Sequence, residues 1–394
     1  MKTLKLSGLA LSINAALIAI GTTSVSAFAE EAKQEDLKLE VIEVTARKRV
    51  ENVQEVPVSV SALKGEALEA YASAGMDIRF LNAKVPSLSV ESSFGRTFPR
   101  FYMRGLGNSD FDLNASQPVS LVVDDVVQEN PILKGFPVFD TERVEVLRGP
   151  QGTLFGRNTP AGLVKFDSKK PTQDLDGYAS VAYGTNNTID IDGAVGFGLT
   201  DNLSMRASLL HQSKDDHVSN MAPGFEVKDQ LGGYEETAAR IQFLYEGDDF
   251  NALFNYHTRD LDAKPMIFRA NIIKSGTNDL VDGFDPDVIY HDAAENATQE
   301  VKTNGASLKL EGDIGEYTWT SITGYESAEI YSRADVDGGY GAPWMPEMGP
   351  GLIIFAAESA DAIPDHTQIT QEFRLATNFD GAFNYQTGLF YYSE

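Results

Sequence analysis

The chain has 394 residues, 42% hydrophobic and 23% charged, with a formal net charge of -26 and no cysteine. Such a balance argues against both a disordered chain and a helical membrane protein, and an acidic chain without a basic stripe argues against a nucleic-acid partner. Without cysteine there are no disulfides, thiolate metal sites or cysteine nucleophiles.

Residues 1–29 read as a secretory signal peptide: Lys2 and Lys5 precede an apolar run at 9–20, and Ala27-Phe28-Ala29 has the small-x-small form of a cleavage site. No later segment offers the roughly 20 apolar residues of a spanning helix, so entry into a membrane would require a β-barrel. Residues 30–50 form an arm. Within it E-V-I-E-V-T-A-R-K-R, residues 40–49, favours an extended strand without an evident neighbour. It suits either a peptide awaiting β-augmentation by another protein or the first strand of the next domain.

Residues 51–171 read as a mixed α+β domain. Strands are predicted at 57–61, 87–91, 100–104 and 119–127, and helices at 64–74, ended by Gly75, and at 77–83. Three polar loops, 92–99, 106–118 and 127–137, connect them. Residues 142–171, E-R-V-E-V-L-R-G-P-Q-G-T-L-F-G-R-N-T-P-A-G-L-V-K-F-D-S-K-K-P, place glycines at 149, 152, 156 and 162 beside Pro150 and Pro160. Those residues call for tight turns between short strands.

From residue 172 to 394 the pattern changes to period-two alternation, clearest where Ile189, Ile191, Val195, Phe197 and Leu199 share one face and Asp190, Asp192 and Ala194 the other. About nine strands follow: 177–184, 189–199, 203–212, 237–246, 250–257, 305–311, 317–325, 367–376 and 383–392. Many approach the 9–11 residues that cross a bilayer at a tilt. After the first hairpin, short connections (200–202, 247–249, 312–315, 377–382) alternate with long ones (213–236, 258–304, 326–366). A soluble sandwich has no reason to sort its loops this way, whereas a transmembrane barrel has tight turns on one side and long loops on the other. About nine strands cannot close around a domain of this size, so the chain is expected to be a fragment with an incomplete barrel.

With these elements in place, residues 142–171 resemble the plug-to-barrel junction of TonB-dependent outer-membrane receptors of the siderophore-receptor type. Glu40, Val41, Ile42, Glu43, Val44, Thr45 and Ala46 look like the TonB box, Tyr102-Met103-Arg104-Gly105 like a plug I-R-G element, and Thr370-Gln371-Glu372-Phe373-Arg374 like a recurrent barrel-strand element. The resemblance implies a wall of about 22 strands around the plug. The chain departs from the family at Asp124-Asp125, where Asp-Gly is usual, at Lys165 in place of asparagine, and at Ala161 in place of glycine.

The resemblance also implies a function. The protein would import a scarce bulky nutrient across the outer membrane of a Gram-negative bacterium, most often a ferric siderophore, with oligosaccharide or cobalamin as alternatives. A different outcome is a truncated receptor that does not transport. Its partners would be the TonB C-terminal domain, outer-membrane lipid, the barrel-assembly machinery and the small-molecule ligand, with no nucleic acid. No cofactor is expected, iron entering only within a transported chelate.

Arg104 and Arg148 match family arginines that face wall carboxylates, and Glu372 is the expected partner because Thr370, Glu372 and Arg374 share the polar face of a strand. The plainer alternative is three solvated charges. Arg96, Asn108, Asp110, Gln128 and Glu129 lie in the three loops expected to form the plug apices beneath an external vestibule, with Arg96 matching a ligand-contacting arginine. Tyr340, Trp344 and Met345, in a late loop, suit either plain loop packing, the more ordinary use, or stacking on a bulky ligand. The five histidines, at 211, 217, 257, 291 and 366, lack metal-ligand spacing, and no G-x-S-x-G or H-E-x-x-H occurs. An enzyme is not expected.

Overall fold

Alternation and turn chemistry produce two kinds of sheet. The computed structural model describes residues 43–72, 75–292, 297–338 and 357–394. The signal-peptide reading, Glu40, Val41 and Ile42, and Tyr340, Trp344 and Met345 fall outside the described residues.

In chain order, β1 (Glu43–Val44) and β2 (Glu51–Asn52) form a small antiparallel pair. Then come β3 (Ser59–Lys64), α1 (Gly65–Ala72), a 3-10 turn at Ile78–Leu81, β4 (Leu88–Glu91), β5 (Arg100–Met103), β6 (Val119–Val123) and β7 (Val126–Gln128). They are followed by a second 3-10 turn at Pro131–Lys134, β8 (Thr141–Arg148), α2 (Gly152–Phe155) and β9 (Gly162–Ser168). Five of these strands make one sheet in the order β3-β8-β9-β6-β7, with β6 and β9 parallel. Phe101, Leu121, Val144, Val146 and Val164 are fully buried in its core.

The strand predicted at 119–127 is a hairpin instead. Asp124 and Asp125 both take positive φ, 48° and 68°, which is the geometry of a two-residue turn between twisted strands. Gly162 opens β9 at φ 146°, and a Cβ there would collide with the Leu147 carbonyl and Met103 Sδ. The glycine is needed for backbone and sulfur to approach so closely.

The wall begins with β10 (Asp176–Tyr183), β11 (Ile189–Thr200) and β12 (Leu203–Lys214). It continues past the short β13 (Val218–Asn220) and β14 (Val227–Leu231) to β15 (Tyr234–Glu246), β16 (Phe250–Ala263) and the short β17 (Val288–Ile289). The last four strands are β18 (Thr298–Ile314), β19 (Tyr317–Asp335), β20 (Glu358–Thr377) and β21 (Gln386–Ser393). Nine of them form an open antiparallel sheet, each pairing with the next in sequence, while β13, β14 and β17 make a separate three-stranded sheet within the long loops. Strands β18, β19 and β20 reach 17, 19 and 20 residues, more than a crossing needs. They exceed their predicted lengths because the extra residues follow the plug: Val301 and Ile330 pack with Phe94, Phe98 and Leu133.

One face of the wall exposes Ile191, Val195, Phe197, Leu209, Phe254, Ile369 and Phe373, and the other buries Asp190, Arg206, Gln242, Asn255 and Thr370. The apolar face therefore points away from the plug and the polar face towards it, as an outer-membrane wall requires. Among the described residues no helix is long and apolar enough to cross a membrane.

Lys134 is a cation in the plug loop, 1% exposed, with Nζ donating to the Val119 carbonyl at 3.0 Å. Burial pushes its pKa down to about 8, partly offset by Glu129. A lysine depressed in the folded state binds fewer protons there than in the unfolded chain, so stability should rise with pH between about 8 and about 10.4, by on the order of 3 kcal/mol. Lys134→Met should abolish that slope in thermal unfolding measured across the range.

Candidate functional site

The arm, the plug sheet and the wall meet around Thr45. Val44 and Ala46, 0% and 1% exposed, join Val56, Leu147, Phe155 and Leu163 in one apolar cluster. Thr45 alternates to the other side, as an extended segment must. Its N–H donates to Glu145 Oε1 at 2.7 Å, and Lys165 Nζ donates to its Oγ1 at 2.8 Å. Glu145 of β8 and Lys165 of β9 stand directly opposite in the ladder, so one cross-strand pair grips the arm. Arg143 extends the cluster to Glu145 at 3.0 Å and Asp167 at 2.8 Å. Burial pushes the Glu145 carboxyl up, with Lys165 restraining it. For Lys165 burial works the other way, but Asp125 and Asp167 outweigh it and hold the ammonium above the ordinary lysine value.

The Asp124-Asp125 turn carries this cluster to the wall. Asp124 accepts from Ser168 N at 2.8 Å and from wall Asn255 Nδ2 at 2.9 Å. Asp125 pairs with Lys309 of β18 at 2.9 Å and lies 3.9 Å from Lys165. Although burial opposes it, the positive field of Lys309, Lys165 and Arg374 holds the Asp125 carboxyl well below its ordinary range. Next along the arm, Lys48 reaches Glu372 of β20 at 2.5 Å and lies over the Phe155 ring at 5.0 Å.

Further along the wall a second set of charges clamps the plug loops. Arg96 donates Nε and Nη2 to Glu236 Oε2 at 2.9 and 2.6 Å and stacks on Tyr234 at 3.9 Å. Glu236 Oε1 accepts from Arg259 Nε at 2.7 Å. Arg206 forks onto Asp140, with Nε to Oδ2 at 2.8 Å and Nη2 to Oδ1 at 2.6 Å, and Arg240 Nη2 caps the Asp140 carbonyl at 2.8 Å. Buried pairs of this kind are individually costly to desolvate, but removing one partner is costlier still.

Several site expectations are corrected by this geometry. Arg148 faces Ser59 across the β3–β8 ladder and donates to Ser59 Oγ at 3.0 Å and the Pro86 carbonyl at 3.3 Å, so it is tied within the plug. Arg104 sits exposed at a positive-φ turn, φ 52°. Glu372 faces inward as expected, but its carboxylate meets Lys48 and Arg374 instead of either arginine. Arg96, placed by sequence under a vestibule, is 9% exposed and has its guanidinium committed to Glu236, Gln212 and the Gly75 carbonyl.

Gln128 and Glu129 are buried against the wall as well. Gln128 donates to Glu326 at 3.3 Å, and the Glu129 N–H donates to Gln368 at 3.2 Å while its carboxylate takes Arg157 at 2.7 Å. Asn108 and Asp110 lie in an outlying loop and cap their own backbone, each accepting from the N–H two residues on. Asp140, Glu236, Arg206, Arg259 and Lys309 were missed by sequence reasoning. The available signal was their position on the polar face of alternating strands or, for Asp140, at the entry to β8.

A small mixed sheet clasped by the polar face of an antiparallel wall, whose other face is apolar, is the architecture of part of a plugged transmembrane β-barrel. Residues 52–163 match the family TonB-dependent Receptor Plug Domain. The chain is 29% identical over 171 residues to the pesticin receptor of Yersinia pestis, covering 42% of this chain and 24% of that protein. It is 25% identical over 234 residues to the catecholate siderophore receptor Fiu of Escherichia coli K12, covering 58% and 28%. The solved structure of the ferric yersiniabactin uptake receptor FyuA from Yersinia pestis superposes with a TM-score of 0.67 at 21% identity, over 84% of this chain and 48% of that one. A likeness at that identity is one of fold. Residues 52–163 are therefore a TonB-dependent receptor plug domain, and the chain, which is similar to siderophore receptors, spans about a quarter of the length of the curated relatives it matches. Those relatives are receptors, not enzymes.

Proposed function

We propose that this protein takes part in TonB-dependent import of a ferric siderophore across the outer membrane, with residues 40–46 of the arm as the TonB box. The observation that carries the reading is the mounting of the arm: Val44 and Ala46 are buried in the plug cluster, and Thr45 is held by the Glu145–Lys165 pair. An extended segment of this kind offers a strand for β-augmentation once it is drawn out. Pulling it strains contacts that run through Asp125 to Lys309 of the wall, so force on the arm reaches the plug–wall seam. The siderophore class is supported by the relatives, which include a catecholate siderophore receptor and a ferric yersiniabactin uptake receptor. TonB and the proton gradient behind it would supply the energy, and the chain would contribute no bond chemistry of its own.

In cells producing the receptor, deletion of residues 40–46 should reduce energised uptake of the ferric chelate to background while leaving its binding at the cell surface intact. Uptake that survives the deletion would favour a passive pore. Induction under iron limitation, compared with growth on polysaccharide, separates a siderophore from an oligosaccharide cargo.

A further inference from the structure

Two inward positions of the wall carry no side chain where the plug hairpin β6–β7 arrives. At Gly324 of β19 a Cβ would stand 2.8 Å from Val126 Cγ1, so bare backbone receives the start of β7. Gly305 of β18 has a different use. It stands directly opposite His257 of β16 on one side and Glu326 of β19 on the other. A Cβ there would lie 2.3 Å from His257 Nε2 and 2.1 Å from Glu326 Oε2. With glycine in the middle strand, side chains from strands that are not neighbours meet, His257 Nε2 lying 3.0 Å from Glu326 Oε2. The other oxygen, Oε1, accepts from Gln128 Nε2 of β7 at 3.3 Å, so the end of the plug hairpin rests on this pair.

Glu326 is 3% exposed, and a carboxylate so buried depends on what faces it. Arg240 of β15, Arg259 of β16 and Asp124 of the plug line the same seam cavity, of about 80 Å³, with His257 and Glu326. Arg240 is drawn to the Phe139 and Asp140 carbonyls, and Arg259 to Glu236 and the Gly135 carbonyl, while Asp124 holds Ser168 and Asn255. From β18 the cavity takes Thr303, which carries no charge. On the far side His366 of β20 stands opposite Ala328, its Nδ1 3.5 Å from Glu394. Among the described residues His257 is therefore the cationic partner of Glu326, and only while its ring is protonated.

We propose that His257, Gly305 and Glu326 form a pH-sensitive latch on the plug hairpin, closed while the imidazole is protonated and slack once the proton is lost. Protonated, His257 neutralises the buried carboxylate and fixes it for Gln128; neutral, it leaves that carboxylate with uncharged donors alone. An imidazole ordinarily loses its proton near pH 6.5. The contribution of the latch is therefore fully present below that value and lost as pH rises past it. The tether at Asp125 is insensitive over the same range, because its carboxyl is held well below its ordinary value. A rise in the pH of the medium thus frees one end of the hairpin while its Asp124-Asp125 turn stays anchored. The latch belongs to the plug–wall seam and stands or falls independently of import.

Limited proteolysis by proteinase K of the full chain folded in detergent micelles reads opening of the plug. The ratio of variant to parent at one pH cancels the protease's own pH dependence and the slope that Lys134 supplies near pH 8. At about pH 5.5 His257→Gln is expected to be cut about tenfold faster than the parent, and at about pH 7.5 within about twofold of it. His257→Lys keeps a cation and should resist better than His257→Gln at both values. Gly305→Ala leaves both ionisable groups in place but drives them apart, so it should behave as His257→Gln does, and it carries the test if the glutamine variant misfolds. His366→Gln should retain the parent's response. An equal His257→Gln ratio at the two pH values, a His257→Lys variant no more resistant than His257→Gln, a Gly305→Ala variant as resistant as the parent at about pH 5.5, or loss of the response in His366→Gln overturns the latch.

Discussion

Glu236→Gln is expected to loosen the plug from the wall by on the order of 3–5 kcal/mol, the cost of stranding buried charges. Glu236 is 1% exposed, and its carboxylate receives Arg96 on one oxygen and Arg259 on the other. Glutamine keeps the volume and one acceptor but removes the charge that both guanidiniums share. Neither arginine can turn to solvent, since Arg96 is stacked on Tyr234 and Arg259 is held by the Gly135 carbonyl. The surface pair Arg333–Glu358 provides the comparison: its side chains are 38% and 35% exposed, and Glu358→Gln should leave stability unchanged within error. Urea titration of the folded chain in detergent, followed by limited proteolysis of the plug, measures both. Equal shifts for the two variants would mean that the buried network does not anchor the plug.

Asp125→Gly tests two opposed effects. Glycine relieves the positive-φ strain at a turn where the family usually carries it, a gain of about 1 kcal/mol. It also removes the carboxylate between Lys309 and Lys165, leaving two largely buried ammoniums unbalanced at a cost of about 3–5 kcal/mol. The charge effect is larger, so the variant should be less stable by a few kcal/mol, and trypsin should cut faster at Arg47, Lys48 and Arg49 of the arm. Asp125→Asn keeps a residue tolerant of the turn but not the charge, and should behave similarly.

The pH dependence follows from the same residue. The Asp125 carboxyl is held well below its ordinary range by Lys309, Lys165 and Arg374 against the opposing effect of burial. Its stabilisation is therefore fully present above the unfolded value of about 3.9 and is lost only as pH falls through the lower folded value. The gap in unfolding midpoint between the unaltered chain and Asp125→Asn should stay constant from neutral pH to about 4 and narrow below. A glycine variant more stable than the parent would sink the tether.

Much of the architecture was legible in the chain itself. Alternation at Ile189, Ile191, Val195 and Phe197 named the face that leaves the plug, because side-chain direction in a strand depends only on parity. The glycine-rich run at 142–171 announced tight turns between short strands, and β8 and β9 lie there, with the short helix α2 between them not foreseen. The longest wall strands were underestimated, since their outer thirds alternate against plug side chains that lie far away in sequence.

Which charges meet was not legible. Parity puts Glu236, Arg259, Lys309, Glu372 and Arg374 on the inward face, but it says nothing of height along the wall or of the plug residue that arrives there. Arg96 and Glu236 are 140 positions apart, and only the packing of the loop at 92–99 against β15 brings them within 2.6 Å. Likewise the motif residues Arg104 and Arg148 were matched to the wall by their place in sequence. One is an exposed residue at a left-handed turn, and the other is used across its own ladder. Local pattern therefore determined the strands, their faces and the plug-domain resemblance, because these depend on neighbours in the chain. The partners of each buried charge were decided by tertiary structure, because they depend on the register between a plug and a wall that share no local sequence.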